Sequence, residues 1–208
     1  MSHFQLQYYE YTQFKNILKQ LSSKEVVQRY LFDLFPFAFK DNPELYWELR
    51  NEICGHLNIH PQNFTMIGSA KLGFSLSPKK IEQDGIKVPK LGKLFNEASD
   101  IDIVIVSEQL FEKIWLKLIP YRKKVYWRMN KEAKQRFDDL QRNLFFGQLR
   151  MDKLSNDFDF AKDWWEFFNK LSRQEKYGPR QIRAAIFKSW THANYCYERS
   201  IDSIKDLL

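Results

Sequence analysis

The stretch Asp100-Ile101-Asp102-Ile103-Val104-Ile105-Val106 has the clearest β-strand pattern in the chain. After its acidic start it is apolar on both faces, which is typical of a strand near the centre of a sheet. Because side chains alternate along a strand, Asp100 and Asp102 project from one face, while Ile101 and Ile103 project from the other. The sequence therefore predicts two converging carboxylates at the beginning of a central strand.

A second β-prone run lies upstream, at 63–67, and ends at Gly68-Ser69. A glycine lets the backbone approach a phosphate closely, and a serine hydroxyl can donate a hydrogen bond to it. Paired carboxylates are costly unless cations neutralise them, and oxygen-rich sites suit Mg²⁺, which also binds nucleotide phosphates. These features indicate metal-assisted phosphoryl or nucleotidyl transfer. For the Asp pair alone, two solvated acids at a strand end are the alternative.

The length of 208 residues, 44% of them hydrophobic, predicts one compact domain with a substantial core. We divide it into a helical part at 1–60, a sheet-containing core at 61–190 and a closing helix at 191–208. Helical spacing of apolar residues predicts helices at 12–39 with a break at Ser22-Ser23, at 45–57, from Ser107 to Pro120, and at 130–142, 160–171 and 192–207. Further strands are predicted at 144–151 and 181–187. The predicted class is α+β, with a small mixed sheet flanked by N-terminal and C-terminal helices.

The net charge of +7 and the pI of about 9.2 favour polyanionic partners such as nucleic acid or nucleotide phosphates. Several basic residues lie close to aromatic ones, a combination that suits single-stranded nucleic acid; a solvated basic face is the alternative. The N-terminal residues Met1 to Gln5 do not resemble a signal peptide, and no stretch has the apolar length of a membrane span. We expect a cytoplasmic protein without membrane contact.

Ile67-Gly68-Ser69 followed by Asp100-Ile101-Asp102 resembles the signature of the polymerase-beta-like nucleotidyltransferase superfamily. The match covers roughly the middle quarter of the chain. The resemblance implies a sheet of the nucleotidyltransferase type, Gly68 and Ser69 as phosphate-binding residues, and Asp100 and Asp102 as catalytic ligands of Mg²⁺ or Mn²⁺. The small size is also similar to that of compact nucleotidyltransferase-fold proteins of bacterial toxin-antitoxin and phage-defence loci.

The sequence departs from the family pattern in two ways. The two halves of the motif are separated by a long insertion, 71–97, which we interpret as a flexible, lysine-bearing loop containing Gly85. Such a loop covers the phosphates or presents nucleic acid; a surface insertion without such a role is the alternative. Within the loop, Lys71 is predicted to contact phosphate. The predicted strand at 181–187 also lacks the third carboxylate of active members. Asp152 is the first candidate for that catalytic acid, and Asp157 and Asp159 are the second.

The leading hypothesis is a metal-dependent nucleotidyltransferase that moves a nucleoside monophosphate from a nucleoside triphosphate to an acceptor hydroxyl. An RNA or tRNA end, a protein side chain or another nucleotide remains open as the acceptor. The rival hypothesis is an inactive nucleotidyltransferase-fold module that binds nucleotide or nucleic acid as a sensor or assembly subunit, with a protein partner. A protein-interaction subunit with an incidental Asp pair is the third.

Overall fold

The central strand predicted from Asp100-Ile101-Asp102 lies inside a four-stranded mixed sheet. A computed structural model describes residues 8–83, 86–178 and 180–208; the N-terminal residues Met1 to Gln5 and Gly85 lie outside them. The strands are β1 (Phe64–Ile67), β4 (Ile101–Val106), β5 (Gln148–Leu149) and β6 (Ile182–Phe187), in the order β1-β4-β6-β5. β4 is antiparallel to β1 and parallel to β6, and β5 is antiparallel to β6.

Helices surround this sheet on both sides. They are α1 (Tyr11–Gln20), α2 (Ser23–Val26, followed by a π-helical segment, Val27–Asp33), α3 (Pro43–Leu57), α4 (Ser69–Leu72), α5 (Glu108–Val125), α6 (Lys131–Phe145), α7 (Asp159–Ser172) and α8 (Trp190–Lys205). The predictions of helices at both ends of the chain and of a small mixed sheet between them are confirmed. None of the helices in the described part of the chain combines the length and the apolar character needed to cross a bilayer.

The two faces of β4 differ in what they contact. Ile101, Ile103 and Ile105 are buried in the main core, with side chains of α3, α5 and α7. Val104 and Val106 face the other way and pack with Phe187 of β6 and Ala193 of α8. Asp102 belongs to this second face because it alternates with the isoleucines, so the fold places a carboxylate beside α8.

A second hydrophobic cluster anchors the N-terminal helices. Phe14 and Leu18 of α1, Val26 and Leu31 of the following segment, and Ile201 and Ile204 of α8 are buried together in it. The predicted break at Ser22 is confirmed: its hydroxyl accepts a hydrogen bond from the Glu25 N–H, 3.2 Å away, and starts a new helix. The N-terminal helices thereby pack against the closing helix.

The end of helix α5 and the strand predicted at 144–151 differ from the sequence prediction. α5 does not end at Pro120 but continues to Val125. The proline removes one backbone hydrogen bond, but the following turn is held by Tyr121, whose ring packs 5.0 Å from that of Phe158 and whose hydroxyl donates to Asp157. The strand predicted at 144–151 is mostly wrong: α6 extends to Phe145, and only Gln148–Leu149 pairs with β6.

The insertion between the two motif halves is a paired ribbon rather than the predicted loop. Strands β2 (Lys80–Gln83) and β3 (Ile86–Pro89) pair antiparallel at its far end. Nearer the sheet, the Ser75 N–H donates to the Lys93 carbonyl at 2.8 Å and the Phe95 N–H donates to the Gly73 carbonyl at 2.8 Å. This pairing fixes the second leg of the ribbon against the first and brings it back to Asp100.

Candidate active site around Asp102

The glycine–serine turn and the aspartate pair meet at the end of β1. The β1–β4 register sets Ile67 opposite Asp102, so Gly68 directly follows the residue paired with that aspartate. Gly68 has φ +68° and ψ −150°, a backbone conformation that favours glycine. A Cβ built on Gly68 would lie 3.4 Å from Asp102 Oδ2. The chain thus changes direction at Gly68 beside the carboxylate, and Ser69 begins α4 there.

The two aspartates have different environments. Asp100 is partly exposed, and its Oδ2 is 3.5 Å from Arg183 Nη1. Asp102 is more enclosed: burial, and secondarily the charge of Asp100, raises its pKa above the usual range, while the guanidinium of Arg183 opposes the shift. A cation bound between the two carboxylates would therefore stabilise their charged forms and offset both the cost of burying Asp102 and the repulsion between the two charges.

Ser69, Asp100 and Asp102 line a cavity of about 210 Å³ whose opposite wall comes from the ribbon. That wall contributes Lys90 and Lys93, and the turn before β4 contributes Asn96 and Ser99. The turn is closed by hydrogen bonds between Asn96 and Ser99, among them the Asn96 N–H donating to Ser99 Oγ at 3.0 Å. We call this space the lysine cavity. It combines two carboxylates with two ammonium groups and the hydroxyls of Ser69, Ser75 and Ser99, a set of groups that suits a metal-bound polyphosphate.

Lys71 lies elsewhere, although it stands only two residues after Ser69 in sequence. Its side chain is 1% exposed, and its Nζ donates to the Phe32 carbonyl at 2.9 Å and to Thr65 Oγ1 at 3.3 Å. Burial lowers its pKa to about 7, although the charge of Asp33 acts in the opposite direction. Its phosphate contact stays a prediction, but among the described residues it is Lys90 and Lys93 that line the lysine cavity.

A second cavity, of about 290 Å³, lies on the other side of Asp102. Its polar wall includes Arg150, Asp152 and Arg183, and its apolar wall includes Trp164 and Trp165 from α7. We call it the aromatic cavity. Asp102 lines both cavities and so stands at the boundary between them.

Asp152, the first candidate for a third acid, faces the aromatic cavity together with Asp102. Arg150 holds it in a bidentate ion pair, with Nε 2.9 Å from Oδ1 and Nη2 2.7 Å from Oδ2. The second candidates point elsewhere, since Asp157 accepts a hydrogen bond from Tyr121 and Asp159 begins α7. The residue on β6 directly beside Asp102 is Arg183, so a cation occupies the neighbouring strand position.

Several residues of the two cavities were not singled out from the sequence. Arg183 could have been identified from the sequence, because it is the one charged residue in the strand Ile-Arg-Ala-Ala-Ile-Phe, whose other residues are all apolar. The roles of Arg150 and Tyr197 had none, because they depend on how distant segments pack. Tyr197 of α8 lines the aromatic cavity, and burial together with the charge of Asp102 raises the pKa of its hydroxyl.

The donor set fits a metal that takes few protein ligands. Within residues 8–83, 86–178 and 180–208, three Asp, Glu, His or Cys side chains do not come together in a group that could hold a metal ion. Mg²⁺ is commonly held by one or two carboxylates, with water and substrate phosphate oxygens completing the octahedron. Asp100 and Asp102 supply such a pair, since they are two residues apart and both line the lysine cavity.

Comparison of the chain with protein-family models, with curated proteins and with solved structures found no match.

Proposed function

We propose that this protein is a metal-dependent nucleotidyltransferase with a sheet of the nucleotidyltransferase type. The observation that carries the proposal is the position of Asp102. Its carboxylate lies against the Gly68 turn and forms part of the wall of both the lysine cavity and the aromatic cavity. The resemblance of Ile67-Gly68-Ser69 and Asp100-Ile101-Asp102 to the superfamily signature supports the same reading.

The two cavities suit the two ends of a nucleoside triphosphate. In such a molecule the α-phosphorus lies between the nucleoside and the two outer phosphates. With the outer phosphates beside Ser69, Lys90 and Lys93, and the nucleoside in the aromatic cavity, the α-phosphorus comes to the boundary at Asp102. This arrangement directs the carboxylates to the phosphorus that nucleotidyl transfer attacks rather than to the γ-phosphorus.

Transfer requires a new bond from the acceptor oxygen to the α-phosphorus and cleavage of the bond from that phosphorus to the bridging oxygen. Pyrophosphate leaves with the bonding electron pair, and the acceptor hydroxyl gives its proton to a carboxylate, for which Asp152 is placed in the aromatic cavity. Asp100 and Asp102 would hold Mg²⁺ or Mn²⁺, which offsets the charge on the phosphates. The positive net charge favours an RNA or tRNA end as acceptor over a protein side chain or another nucleotide. A role in bacterial defence or a toxin–antitoxin pair rests on analogy alone.

A nucleotide-binding module without turnover is the second candidate, and two ion pairs favour it. Arg150 occupies both oxygens of Asp152, and Arg183 lies 3.5 Å from Asp100. If these pairs persist with nucleotide bound, Asp152 stays occupied and the protein acts as a sensor or an assembly subunit, with a protein partner.

The deciding experiment incubates the protein with each α-labelled triphosphate, Mg²⁺ or Mn²⁺, and total RNA or protein. It measures both labelled product and released pyrophosphate. We expect label on one acceptor class with the wild type, and a loss of at least about 100-fold with Asp102→Asn. Asp163→Asn, the same change at an exposed position of α7, is the matched control and should retain full activity. Saturable triphosphate binding without label or pyrophosphate would replace the transferase with the binding module.

A further inference from the structure

The edge of β6 that faces away from β4 is only half covered. β5 pairs with Phe187 and Ile186 through Gln148 and Leu149, and then the chain turns away at Met151. The first half of β6, from Ile182 to Ala184, therefore has no strand neighbour on that side among the described residues. Ile182 and Ala184 line the aromatic cavity, so this uncovered backbone borders the cavity.

Hydrogen bonds at the two ends of β6 fix which backbone groups point to that edge. The Gln181 carbonyl accepts from the Ile101 N–H at 2.9 Å, and the Phe187 carbonyl accepts from the Ser107 N–H at 3.0 Å, so the backbone N–H and carbonyl groups of odd-numbered residues point toward β4. The backbone groups of even-numbered residues point to the opposite edge, as the hydrogen bond from the Lys188 N–H to the Gly147 carbonyl shows. The Ile182 carbonyl and the Ala184 N–H therefore point together toward the uncovered edge.

An acceptor and a donor on alternate residues of a strand form a narrow, directional pair. The Ile182 N–H is already satisfied by Ser172 Oγ at 2.9 Å, which helps to fix this stretch of backbone. Adenine presents an amino donor beside a ring-nitrogen acceptor on its Watson–Crick edge, and so does cytosine. Guanine and uracil present the opposite order, which would set acceptor against acceptor and donor against donor.

The wall formed by α7 supplies a surface for the ring. Trp164, Trp165 and Phe168 line the cavity, and the ring centroids of Trp164 and Phe168 are 4.6 Å apart. Stacking of a base on an aromatic side chain stabilises binding and increases with ring area, which favours a purine over a pyrimidine. Edge pattern and ring size together select adenine.

We infer that the aromatic cavity is an adenine site, in which the Ile182 carbonyl and the Ala184 N–H bind the Watson–Crick edge and Trp165 stacks on the ring. The inference rests on the proposed function, since it places the nucleoside of the triphosphate in this cavity. It names the substrate as an adenine nucleotide, and it assigns the discrimination to the backbone of β6 rather than to a side chain.

Equilibrium binding of ATP, CTP, GTP, UTP, 1-deaza-ATP and 7-deaza-ATP, each with Mg²⁺, tests the site on the unaltered protein. We expect ATP to bind at least about 10-fold more tightly than GTP or UTP, with CTP between them. 1-Deaza-ATP, which lacks the nitrogen facing Ala184, should lose about 10-fold, whereas 7-deaza-ATP should match ATP. Equal binding of ATP and 1-deaza-ATP would overturn the inference.

Two pairs of variants test the same contacts from the protein side. Ala184→Pro removes the N–H at an edge position, where proline is tolerated, and should abolish the preference for ATP over GTP, whereas Ala184→Gly should keep it. Trp165→Ala should weaken ATP binding about 10-fold and Trp165→Phe much less. If all four triphosphates bind equally and binding still depends on Asp102, the adenine site is wrong while the proposed function stands. If no triphosphate binds, both are wrong.

Discussion

The lysine cavity and the aromatic cavity share Asp102 but are built from different kinds of structure. Apart from the shared Asp102, the lysine cavity is formed by chain segments that lie within 32 residues of sequence, from Ser69 to Asp100. The aromatic cavity gathers residues from β1, β4, β5, β6, α7 and α8, spread over most of the chain. Under the proposed function, the phosphate-binding groups come from one local stretch of chain, whereas the space for the nucleoside needs the whole fold. We therefore expect mutation of Asp152 in the aromatic cavity to change turnover, and mutation of the lysines in the lysine cavity to change triphosphate binding.

The largest effect is expected from the aromatic cavity. Asp152→Asn removes the carboxylate that we propose as the proton acceptor but keeps the shape of the side chain, so we expect turnover to fall about 100-fold while the Kd for triphosphate changes less than about twofold. Single-turnover label transfer with parallel binding measurements checks this. Asp157→Asn is the control, because Asp157 pairs with Tyr121 instead. Unchanged turnover in Asp152→Asn would mean that Asp152 only positions Arg150.

The boundary between the cavities depends on Gly68. Gly68→Ala forces a side chain into a conformation with φ +68° and ψ −150°, close to Asp102. We expect a loss of about 1–3 kcal/mol in the free energy of unfolding, together with weaker triphosphate binding. Gly55→Ala is a matched control: Gly55 lies within α3 with no atom within 4 Å of an added Cβ, so alanine should stabilise by about 0.5–1 kcal/mol. Urea unfolding of both variants measures the contrast; equal stability of Gly68→Ala and wild type would remove the backbone argument.

A smaller effect is expected in the lysine cavity. Replacing both Lys90 and Lys93 with alanine should weaken triphosphate binding about 10-fold at low salt, with turnover of the bound complex little changed. The difference from wild type should shrink as salt screens the charges. Lys79→Ala removes an exposed lysine of the same ribbon and should have no effect. Equal losses in Lys79→Ala would indicate a general charge effect rather than a phosphate site.

The sequence was most informative where local rules decide the structure. The alternation of Asp100-Ile101-Asp102 and the glycine that ends β1 sufficed to predict the two strands, and the resemblance to the superfamily signature implied a common site for the motif halves. The sequence was least informative where contacts between distant segments determine the local structure. The ribbon depends on backbone pairing between Ser75 and Lys93, which no local pattern encodes, and α5 passes Pro120 because Tyr121 finds partners far along the chain.

Lys71 shows the same limit at a single residue. The sequence places it two positions after Ser69, where a phosphate contact is the natural expectation, yet the side chain turns inward between the π-helical segment Val27–Asp33 and β1, and donates to Phe32 and Thr65. Its direction is set by packing rather than by the motif. The sequence does not distinguish the buried amine of Lys71 from the amines of Lys90 and Lys93, which line the lysine cavity. The two kinds of lysine should differ in their effects on triphosphate affinity and on the pH dependence of stability.

Lys71→Met separates the two cases, and its expected effect on triphosphate affinity is the smallest of these changes, less than about twofold. Its effect appears in the pH dependence of stability. The pKa of Lys71 is lowered to about 7 in the folded state, below its value in the unfolded chain, so the unfolded chain binds more protons above pH 7. The free energy of unfolding of the wild type should therefore rise by about 1–2 kcal/mol between pH 7 and 8.5. Lys71→Met should lack this rise, while the variant with alanine at 90 and 93 should retain it. If Lys71→Met instead keeps the rise and loses triphosphate binding, the ammonium reaches the phosphates and the division between the buried and the cavity-lining lysines is wrong.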